Sequence, residues 1–391
     1  MKGDAIKINR NLLPLSWFYG IAVRCRNLLF EMGVLKSKSY SVPVIAVGNI
    51  TVGGTGKTPH VEYLIRLLKD KVRVSVLSRG YKRKSRGFVL ASPTSTMREL
   101  GDEPYQMKRK YPEIEVAVDK KRTRGIELLT SGEQAKPIDA ILLDDAFQHR
   151  YVKPGINILL VDYNRQILYD KLLPAGRLRE PLSGKDRADI VIVTKCPKEL
   201  KPMEFRVLTK QMNLYPYQQL YFTTLDYEPL VGVFAQQTLP LDQLKDRHVL
   251  LLTGIASPRQ MRQDIEQTMA PASITPLSYG DHHDFRKKDI RRINETFASL
   301  PSPRLIVTTE KDAARLACAE GFSDEVKENM YALPIKVSFM LEGEDLFNEK
   351  IIDYVRKNSR NSILAKGKDV HKPEDSHHTG DRPGTISFRN N

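Results

Sequence analysis

A glycine-rich segment between an apolar run and a helical pattern is the strongest constraint on how this chain folds. The apolar run Val42–Val47 leads into Gly48-Asn-Ile-Thr-Val-Gly-Gly-Thr-Gly-Lys-Thr58, and helical periodicity begins at Pro59. Glycines let the backbone wrap closely, so that successive amide groups point inward, and the start of a helix adds the positive end of its dipole. This order of strand, loop and helix predicts a phosphate-binding loop for a nucleoside triphosphate.

The predicted nucleotide contacts are the residues of this loop: Thr51, Val52, Gly53, Gly54, Thr55, Gly56, Lys57 and Thr58. We expect Lys57 to reach the β- and γ-phosphates and the Thr58 hydroxyl to ligate Mg²⁺. Thr51 stands where such loops usually begin with glycine, which leaves an ordinary glycine-rich turn as the alternative interpretation. The succession of strand, loop and helix argues against that alternative.

A second acidic element follows another apolar run. Ala140–Leu143 has the pattern of a buried strand, and Asp144 and Asp145 come directly after it. A strand that ends in aspartate places a carboxylate at the edge of a parallel sheet where this class of fold holds its metal. Alone, the pair could be a turn at the end of a strand. Together with the phosphate loop it predicts an Mg²⁺ site.

One motif bears on the choice of nucleobase. Val193-Thr-Lys-Cys-Pro197 resembles the (N/T)KxD motif with which GTPases recognise guanine, but Pro197 occupies the position of the aspartate. A proline side chain cannot accept hydrogen bonds from guanine. The sequence therefore favours ATP over GTP.

Short apolar runs alternate with helical patterns through most of the chain. We predict buried strands at Val42–Val47, Arg73–Leu77, Ala140–Leu143, Asn157–Val161, Asp189–Val193, Val249–Leu252, Leu305–Val307 and Tyr331–Val337. Strands that alternate with helices form parallel sheets that are covered on both faces. The predicted fold class is α/β, with two α/β/α domains joined by a short β linker. The first domain is a P-loop NTPase-like, mostly parallel sheet.

Changes in these patterns set the expected domain boundaries. We expect an amphipathic helix in residues 1–40, the phosphate-loop domain in 41–215, and a β-rich linker with three prolines in 216–240. A second α/β domain should occupy residues 241–357. The polar composition of residues 358–391 predicts a disordered tail.

The N-terminal helix is amphipathic and basic. Its apolar face consists of Trp17, Phe18, Ile21, Ala22, Cys25, Leu28, Leu29 and Met32, and residues 1–40 contain seven Lys or Arg against two Asp or Glu. The apolar run is shorter than the about 20 residues that cross a bilayer, and no signal-peptide cleavage site follows it. Two interpretations stay open: a helix packed on the protein core, or an interfacial helix lying in a membrane surface.

The formal charge of the chain is +15, which favours anionic partners without choosing among nucleic acid, membrane and phosphorylated substrate. Cys25, Cys196 and Cys318 are far apart and form no CxxC pair. Neither a disulfide framework nor a zinc site is indicated, and a reducing cytosol fits this pattern.

Phosphoryl transfer to a hydroxyl needs a base and cations around the phosphoryl oxygens. The segments Gly101-Asp-Glu-Pro104 and Tyr279-Gly-Asp-His-His-Asp-Phe285 are candidates for the base, since an Asp–His pair can tune one. Gln148 and His149 could contact nucleotide or acceptor. Candidate phosphate clamps are Arg79, Arg122, Arg177 and Arg179. For each residue taken singly, a solvated surface position is the alternative.

This ordered set of motifs resembles the tetraacyldisaccharide 4′-kinase family of lipid A biosynthesis. The resemblance covers residues 12–355 and rests on Val47–Pro59, Leu77–Tyr81, Gly101–Pro104, Leu143–His149, Leu173–Pro181, Asp281-His282 and Thr309–Asp312. Thr51 fits this family, which often has Ser or Thr there. Ala146 departs from it, because glycine is common at that position.

The resemblance implies an ATP- and Mg²⁺-dependent lipid kinase, peripheral on the cytoplasmic face of the bacterial inner membrane. Such an enzyme transfers the γ-phosphate to the 4′-hydroxyl of a tetraacyl glucosamine disaccharide 1-phosphate and gives lipid IVA. The resemblance implies Asp102 as the base and His282 as its assistant, and Lys57 completes the expected catalytic set. Expected metal ligands are Thr58, Glu103, Asp144 and Asp145, and expected substrate contacts are Arg79, Arg122, Gln148, His149, Arg179 and Glu180. We expect a monomer with no nucleic-acid partner.

Two other functions stay open on the sequence. A soluble small-molecule kinase or ATP-dependent ligase would use the same loop but would not need the Trp17-Phe18 pair. A nucleotide-driven switch or metallochaperone would not be an enzyme. The histidines His371, His377 and His378 hint at metal, but no CxxC or histidine-rich site accompanies the nucleotide domain.

Overall fold

The computed structural model describes residues 8–132, 137–235, 237–255, 258–281 and 283–368 of the 391-residue chain. The strands are β1 (Val44–Gly48), β2 (Val74–Ser78), β3 (Val89–Leu90), β4 (Glu115–Val118), β5 (Ala140–Asp144), β6 (Ile156–Asp162), β7 (Ile190–Thr194), β8 (Gln219–Tyr227), β9 (Leu230–Gly232), β10 (Thr238–Leu239), β11 (His248–Thr253), β12 (Ser273–Ser278), β13 (Arg304–Thr309), β14 (Met330–Leu333) and β15 (Ile335–Phe339). The α-helices are α1 (Leu13–Glu31), α2 (Lys57–Leu68), α3 (Met97–Leu100), α4 (Asp102–Lys110), α5 (Arg122–Thr130), α6 (Pro202–Met212), α7 (Pro258–Thr268), α8 (Lys287–Ala298), α9 (Glu310–Leu316), α10 (Asp324–Glu328) and α11 (Gly343–Lys368). Short 3₁₀ helices lie at Arg10–Leu12, Ile167–Tyr169, Leu182–Arg187 and Leu241–Leu244.

Nine strands form the first sheet, in the order β15-β8-β7-β6-β1-β5-β2-β4-β3. The strands from β8 to β4 run parallel to their neighbours, and only the edge strands β15 and β3 are antiparallel. Strands β1, β2, β5 and β7 are buried along their whole length, as parallel strands are when helices cover both faces of a sheet. The predicted α/β fold with a mostly parallel first sheet is confirmed.

Six strands form the second sheet, in the order β10-β9-β14-β13-β11-β12. Strands β12, β11, β13 and β14 are parallel, and β9 and β10 extend one edge in antiparallel fashion. Alternate residues of β11 face opposite sides. Leu251 packs with Ile265 of α7, and Leu250 packs with Ile293 of α8. Helices therefore cover both faces of the second sheet as well.

The domain boundaries differ from the predicted linker at residues 216–240 and the predicted second domain at residues 241–357. The expected linker is divided, because β8 joins the first sheet whereas β9 and β10 join the second. The expected strand Tyr331–Val337 is also two strands, β14 in the second sheet and β15 in the first. Pro334 separates them, because proline has no amide hydrogen with which to continue a ladder. After β15 the chain stays with the first domain.

Helix α11 packs on the first sheet and extends the ordered chain beyond the expected boundary. Phe347, Ile351 and Val355 belong to the same apolar cluster as Val61 and Leu64 of α2. The helix continues to Lys368, so residues 358–368 are helical where a disordered tail was expected. Residues 369–391, with the three tail histidines, lie outside the described residues.

Helix α1 presents its apolar face to solvent. The residues that it buries are Ser16, Gly20 and Phe30, at helical spacing, whereas Trp17 and Phe18 are each 63% exposed. The rest of the predicted apolar face is also exposed, from Ile21 to Met32. The apolar face therefore does not pack on the core, and that interpretation of the helix is wrong. Among the described residues, no helix combines the length and the apolar character needed to cross a membrane.

Replacing Phe347 by alanine tests the contribution of α11 to the first domain. Phe347 is 2% exposed and contacts the rings of Tyr63, Tyr221 and Phe339. We expect Phe347→Ala to lower the free energy of unfolding by about 3–5 kcal/mol, the usual cost of removing a buried phenylalanine. Urea denaturation measures the change. The neighbouring Leu346 is 66% exposed, so Leu346→Ala should change it by less than about 0.5 kcal/mol. Equal effects of the two substitutions would contradict the packing of α11.

Candidate functional site

The predicted phosphate loop and the acidic pair meet at one edge of the first sheet. Strands β1 and β5 are parallel neighbours, with Val47 opposite Asp144, so both chains leave the sheet at the same edge. The loop follows β1 directly, and α2 begins at Lys57. The carboxyl ends of parallel strands are where such sheets bind ligands. The structure therefore brings together the two elements that the sequence suggested.

Hydrogen bonds to side-chain and backbone groups of the loop hold it in shape. The Asn49 side chain donates to the Thr55 hydroxyl at 2.7 Å, and the Thr194 hydroxyl donates to the Thr55 carbonyl at 2.9 Å. The Val52 amide donates to the Arg177 carbonyl at 2.8 Å. Gly56 has φ +84°, a left-handed conformation that glycine adopts at no steric cost. The loop is therefore preorganised before any phosphate binds.

Two cations flank Asp145. The Lys57 ammonium lies 3.6 Å from Asp145 Oδ1, and the Arg179 guanidinium lies 3.3 Å from Asp145 Oδ2. Burial alone would raise the pKa of Asp145, but Lys57 and Arg179 lower it below its usual range. The carboxylate is therefore ionised at neutral pH. It holds Lys57 beside the place where a terminal phosphate would lie.

Asp144 is buried at the end of β5. Its side chain accepts a hydrogen bond from Ser78 at Oδ2, whereas Oδ1 is buried without a hydrogen-bond partner among the described residues. Burial, with Glu103 and Asp145 nearby, raises the pKa of Asp144 to about 7. A divalent cation would supply a partner for Oδ1 and would stabilise the ionised form. The predicted role of Asp144 as an Mg²⁺ ligand fits these observations.

The predicted metal ligands do not form a complete cage by themselves. Within the described ranges, no three Asp, Glu, His or Cys side chains are grouped closely enough to hold an ion alone. Mg²⁺ usually keeps several waters and takes one or two carboxylates together with substrate phosphates. A site of one or two carboxylates, such as the adjacent pair Asp144 and Asp145, suits that partial coordination, and Glu103 and the Thr58 hydroxyl stay predicted ligands.

Arg122 lies behind the site rather than in it. Its guanidinium is buried and donates to the carbonyls of Asp119, at 2.7 Å, and Asp144, at 3.0 Å. Burial lowers the pKa of Arg122 to about 10. His149 Nε2 accepts from the Arg122 amide at 3.3 Å, and burial, followed by the charge of Arg122, lowers the pKa of His149. The Arg122 guanidinium thus braces the end of β5, and His149 contacts the start of α5; their predicted contacts with substrate stay predictions.

The other residues that we expect to contact the substrate differ in how far they are buried. Gln148 donates to the Asn49 carbonyl at 2.6 Å and accepts from Arg179 at 3.3 Å. Glu180 is buried and forms an ion pair with Arg187 at 2.8 Å, so it supports the Leu173–Pro181 segment. Arg79, by contrast, is exposed at the end of β2. Arg79 is thus open to solvent, Arg179 contacts Asp145 and Gln148, and their contacts with substrate stay predictions.

Asp102 and Glu103 begin α4, close to the second domain. The Asp102 carboxylate forms an ion pair with Arg315 of α9. Asp281, from the predicted histidine segment, forms an ion pair with Lys311 at 3.0 Å. His282 lies outside the described residues, and the next residue, His283, bonds Asp289 at 3.0 Å. Asp102 and Asp281 therefore both form ion pairs with side chains of α9.

Several residues of the site were not found from the sequence. Ser78 lies in the Leu77–Tyr81 motif, but nothing in the sequence shows that its hydroxyl donates a hydrogen bond to Asp144. Lys195 bonds the Gly54 carbonyl and lies 2.9 Å from Asp162, which connects the nucleobase motif to the phosphate loop. Arg315 gave no signal, because a single arginine on a helix normally indicates a solvated position. The Thr309–Asp312 motif just before it was the only indication.

Comparison with known proteins identifies close relatives. A family model described as tetraacyldisaccharide-1-P 4′-kinase matches residues 8–356. The chain is 57% identical over 365 residues to the tetraacyldisaccharide 4′-kinase of Phocaeicola vulgatus, which covers 93% of this chain and 99% of that protein. It is 52% identical over 377 residues to the protein of the same name from Bacteroides thetaiotaomicron, with 94% and 98% covered.

A solved structure shares the fold. The LpxK protein of Aquifex aeolicus, whose crystal structure was determined in complex with ATP, is similar with a TM-score of 0.69 and 33% sequence identity. The match covers 88% of this chain and 98% of that one. Both sheets described above fall within the length that the family model matches.

The raised pKa of Asp144 predicts a pH-dependent affinity for Mg²⁺. The carboxyl is protonated below about pH 7 and ionised above it, so that Mg²⁺ competes with a proton only at the lower pH. We expect the apparent affinity for Mg²⁺, in the presence of a non-hydrolysable ATP analogue, to fall by up to about tenfold between pH 7 and pH 6. It should change little above pH 8. Thermal unfolding at a series of Mg²⁺ concentrations measures this affinity.

Two variants serve as controls for the pH measurement. Asp144→Asn should bind Mg²⁺ weakly at every pH, because the group that titrates is gone. Asp139→Asn removes a carboxylate that pairs with Arg73 before β5 begins, at the opposite edge of the sheet, and should retain the wild-type profile. An affinity that is the same at pH 6 and pH 8 in the wild type would show that Asp144 is not a ligand.

Proposed function

This chain belongs to the tetraacyldisaccharide-1-P 4′-kinase family, and from that premise we propose the roles of its residues and its place in the cell. It is an ATP-dependent kinase of lipid A biosynthesis, which phosphorylates the 4′-hydroxyl of a tetraacyl glucosamine disaccharide 1-phosphate. Its cofactors are ATP and Mg²⁺. The observation that carries the assignment is the family match over residues 8–356, into which the phosphate loop and the Asp144 site both fall.

The phosphate loop binds the nucleotide and balances its charge. The amides of residues 51–58 surround the phosphates, and Lys57 stabilises the charge that develops on the γ-phosphoryl oxygens. Arg179, which contacts Asp145 and Gln148, lies on the other side of the same carboxylate. Asp144 and Asp145, with Glu103 nearby, would hold the Mg²⁺ ion, which would supply positive charge to the phosphate oxygens.

Asp102 accepts the proton of the acceptor. As the 4′-oxygen forms its bond to the γ-phosphorus, its proton passes to the Asp102 carboxylate, and the bond to the β-bridging oxygen breaks to release ADP. Asp102 stands at the first residue of α4, next to Glu103, whose charge raises the pKa of Asp144. This adjacency supports a base next to the metal. By family resemblance His282 assists Asp102.

The exposed face of α1 docks the enzyme on a membrane. A lipid acceptor lies in a bilayer, so the active site must reach the bilayer surface. Helix α1 exposes Trp17, Phe18, Leu28 and Met32, and the Tyr19 hydroxyl on its inner side donates to the Arg179 carbonyl at 2.9 Å. The helix therefore connects the apolar surface directly to a residue of the site. We place the enzyme on the cytoplasmic side of the inner membrane, where ATP is available, as a peripheral monomer.

The alternatives weighed on the sequence are not favoured. A soluble small-molecule kinase gives no reason for the exposed aromatic pair of α1. A metallochaperone needs a metal-binding group of cysteines or histidines, and the described segments contain none. The close relatives are also all named as kinases.

A direct assay of the product tests the proposed roles. We expect the purified protein, incubated with Mg²⁺, γ-labelled ATP and the acylated disaccharide 1-phosphate, to transfer the label to the lipid, with the added phosphate at the 4′ position by mass spectrometry. Lys57→Ala should abolish turnover. Asp102→Asn should lower kcat by about 10²–10⁴-fold, the usual contribution of a general base. Substitution of the exposed Asp324 by asparagine, on α10 of the second domain, is the matched control and should leave kcat unchanged.

Removing the aromatic pair of α1 tests the membrane surface. We expect Trp17→Ser/Phe18→Ser to weaken binding to vesicles of anionic phospholipid by at least about tenfold, since burying one large apolar side chain contributes about 1.5–3 kcal/mol. Cosedimentation with the vesicles measures the binding. Met203→Ser removes an equally exposed apolar side chain from α6 and should bind as the wild type does. Undiminished binding of the double variant would count against docking through α1.

A further inference from the structure

Helices α4 and α9 pack against each other across the junction of the two domains. Their ends are joined in opposite order, because Asp102 at the start of α4 pairs with Arg315 near the end of α9, and Lys110 at the end of α4 pairs with Glu310 at the start of α9. The two helices are therefore antiparallel. At one end of the helix pair the acidic residue belongs to α4, and at the other end it belongs to α9.

The ion pair at Asp102 is shielded from water. The Arg315 side chain is only 8% exposed and the Asp102 side chain 18%. A charged pair that is shielded to this degree is more strongly coupled than a surface pair, because water screens it less. Such a pair can fix the direction of a carboxylate, whereas an exposed pair contributes little.

Arg315 is itself held rigidly by the second domain. Its guanidinium lies 3.2 Å from Asp312 Oδ1, and Asp312 is completely buried. Asp312 accepts hydrogen bonds from the Gly254 amide and from the Thr309 hydroxyl, both at 2.7 Å. These bonds connect the ends of β11 and β13 to the arginine. The position of Arg315 is thus set by the framework of the second sheet.

The far end of the helix pair fixes the axis of α4. Lys110 lies 2.7 Å from Glu62 of α2 and 2.5 Å from Glu310 of α9. Burial alone would lower the pKa of Lys110, but Glu62 and Glu310 raise it above its usual value. Since α2 carries the phosphate loop at its start, Lys110 ties three helices together. Helix α4 therefore cannot turn freely about its axis, and the carboxylate at its start is aimed by contacts at both ends.

We propose that Arg315 is a positioning residue for Asp102, supplied to the first domain by the second. The inference rests on the proposed role of Asp102 as the base. Asp102 is the first residue of α4, next to the expected metal ligand Glu103, and a cation bound by Glu103 would attract the Asp102 carboxylate as well. Arg315 holds it on the side of the second domain. A cation next to a base also lowers its basicity, so the benefit of Arg315 is one of geometry, for which misplacement by about 1 Å costs about 10²-fold in rate.

Steady-state kinetics of five proteins, together with one control variant, test the proposal. They are the wild type, Arg315→Met, Arg315→Lys, Asp102→Asn, and the double variant Arg315→Met/Asp102→Asn. We expect Arg315→Met to lower kcat by about 10–100-fold, with KM for ATP and for the lipid acceptor within about threefold of the wild type. Arg315→Lys keeps the charge and should recover part of the loss. Arg262→Ala is the matched control, because Arg262 forms an ion pair with Glu266 on the surface of α7 in the same domain, and its kcat should equal that of the wild type.

The double variant separates positioning from general damage. If Arg315 acts through Asp102, the double variant should be no slower than Asp102→Asn, within about twofold, because there is no base left to position. The proposal would be overturned if Arg315→Met lowered kcat by the same factor in the Asp102→Asn background as in the wild type. It would also be overturned if the kcat of Arg315→Met were within twofold of the wild type. A rise in kcat would also overturn it, since the contact would then be inhibitory.

Folding and the base assignment are checked in the same experiment. Thermal unfolding and binding of a fluorescent ATP analogue verify that each variant is native, and Arg315→Gln replaces Arg315→Met if the latter does not fold. A wild-type kcat for Asp102→Asn would refute the base itself and the inference with it. A large loss in Asp102→Asn with none in Arg315→Met refutes only the role of Arg315.

Discussion

Negative charge buried at the carboxyl edge of the first sheet is the constraint on which the site depends. Asp144 and Asp145 leave β5 where neighbouring parallel strands also end, so water cannot solvate both carboxylates fully. Buried charges of this kind need partners. Lys57 and Arg179 provide them for Asp145. Within the described part of the chain, the Asp144 side chain accepts a hydrogen bond from the Ser78 hydroxyl alone, so a bound cation would further stabilise its ionised form. The phosphate loop and the Leu173–Pro181 segment, which are joined by backbone hydrogen bonds, bring these two cations to the carboxylate.

The sequence predicted what local rules determine and missed what long-range packing determines. Glycine spacing and an apolar run fix the phosphate loop, because each residue acts through its own backbone conformation. The acidic pair after β5 is found in the same way. Arg122, however, looks like a surface cation and is buried, because two backbone carbonyls replace its water. Likewise, nothing in Tyr331–Val337 shows that its two halves lie in different sheets, apart from Pro334. The role of Arg315 depends on a partner 213 residues away in sequence.

Helix α1 illustrates a limit of periodicity. A core and a membrane surface favour the same apolar stripe, so the pattern identifies the face without identifying its partner. The contacts of Ser16 and Gly20 show which side of the helix lies against the protein. Ser16 accepts from the Ala175 amide at 2.9 Å, and a side chain at Gly20 would collide with Leu172. The helix thus packs on the protein through Ser16, Gly20 and Phe30 and leaves Trp17 and Phe18 exposed.

The return of the chain to the first sheet makes the second domain an insertion within a hairpin. Strands β8 and β15 are antiparallel neighbours, and their pairing ends with Tyr227 opposite Ile335, about 5 Å apart. The whole second domain leaves and re-enters through this gap. In topological terms the first domain is complete without it, since a tight turn could join the two strands. The two segments that join the domains therefore lie side by side at one edge of the first sheet, and the ion pairs between α4 and α9 form a second, separate attachment of the second domain.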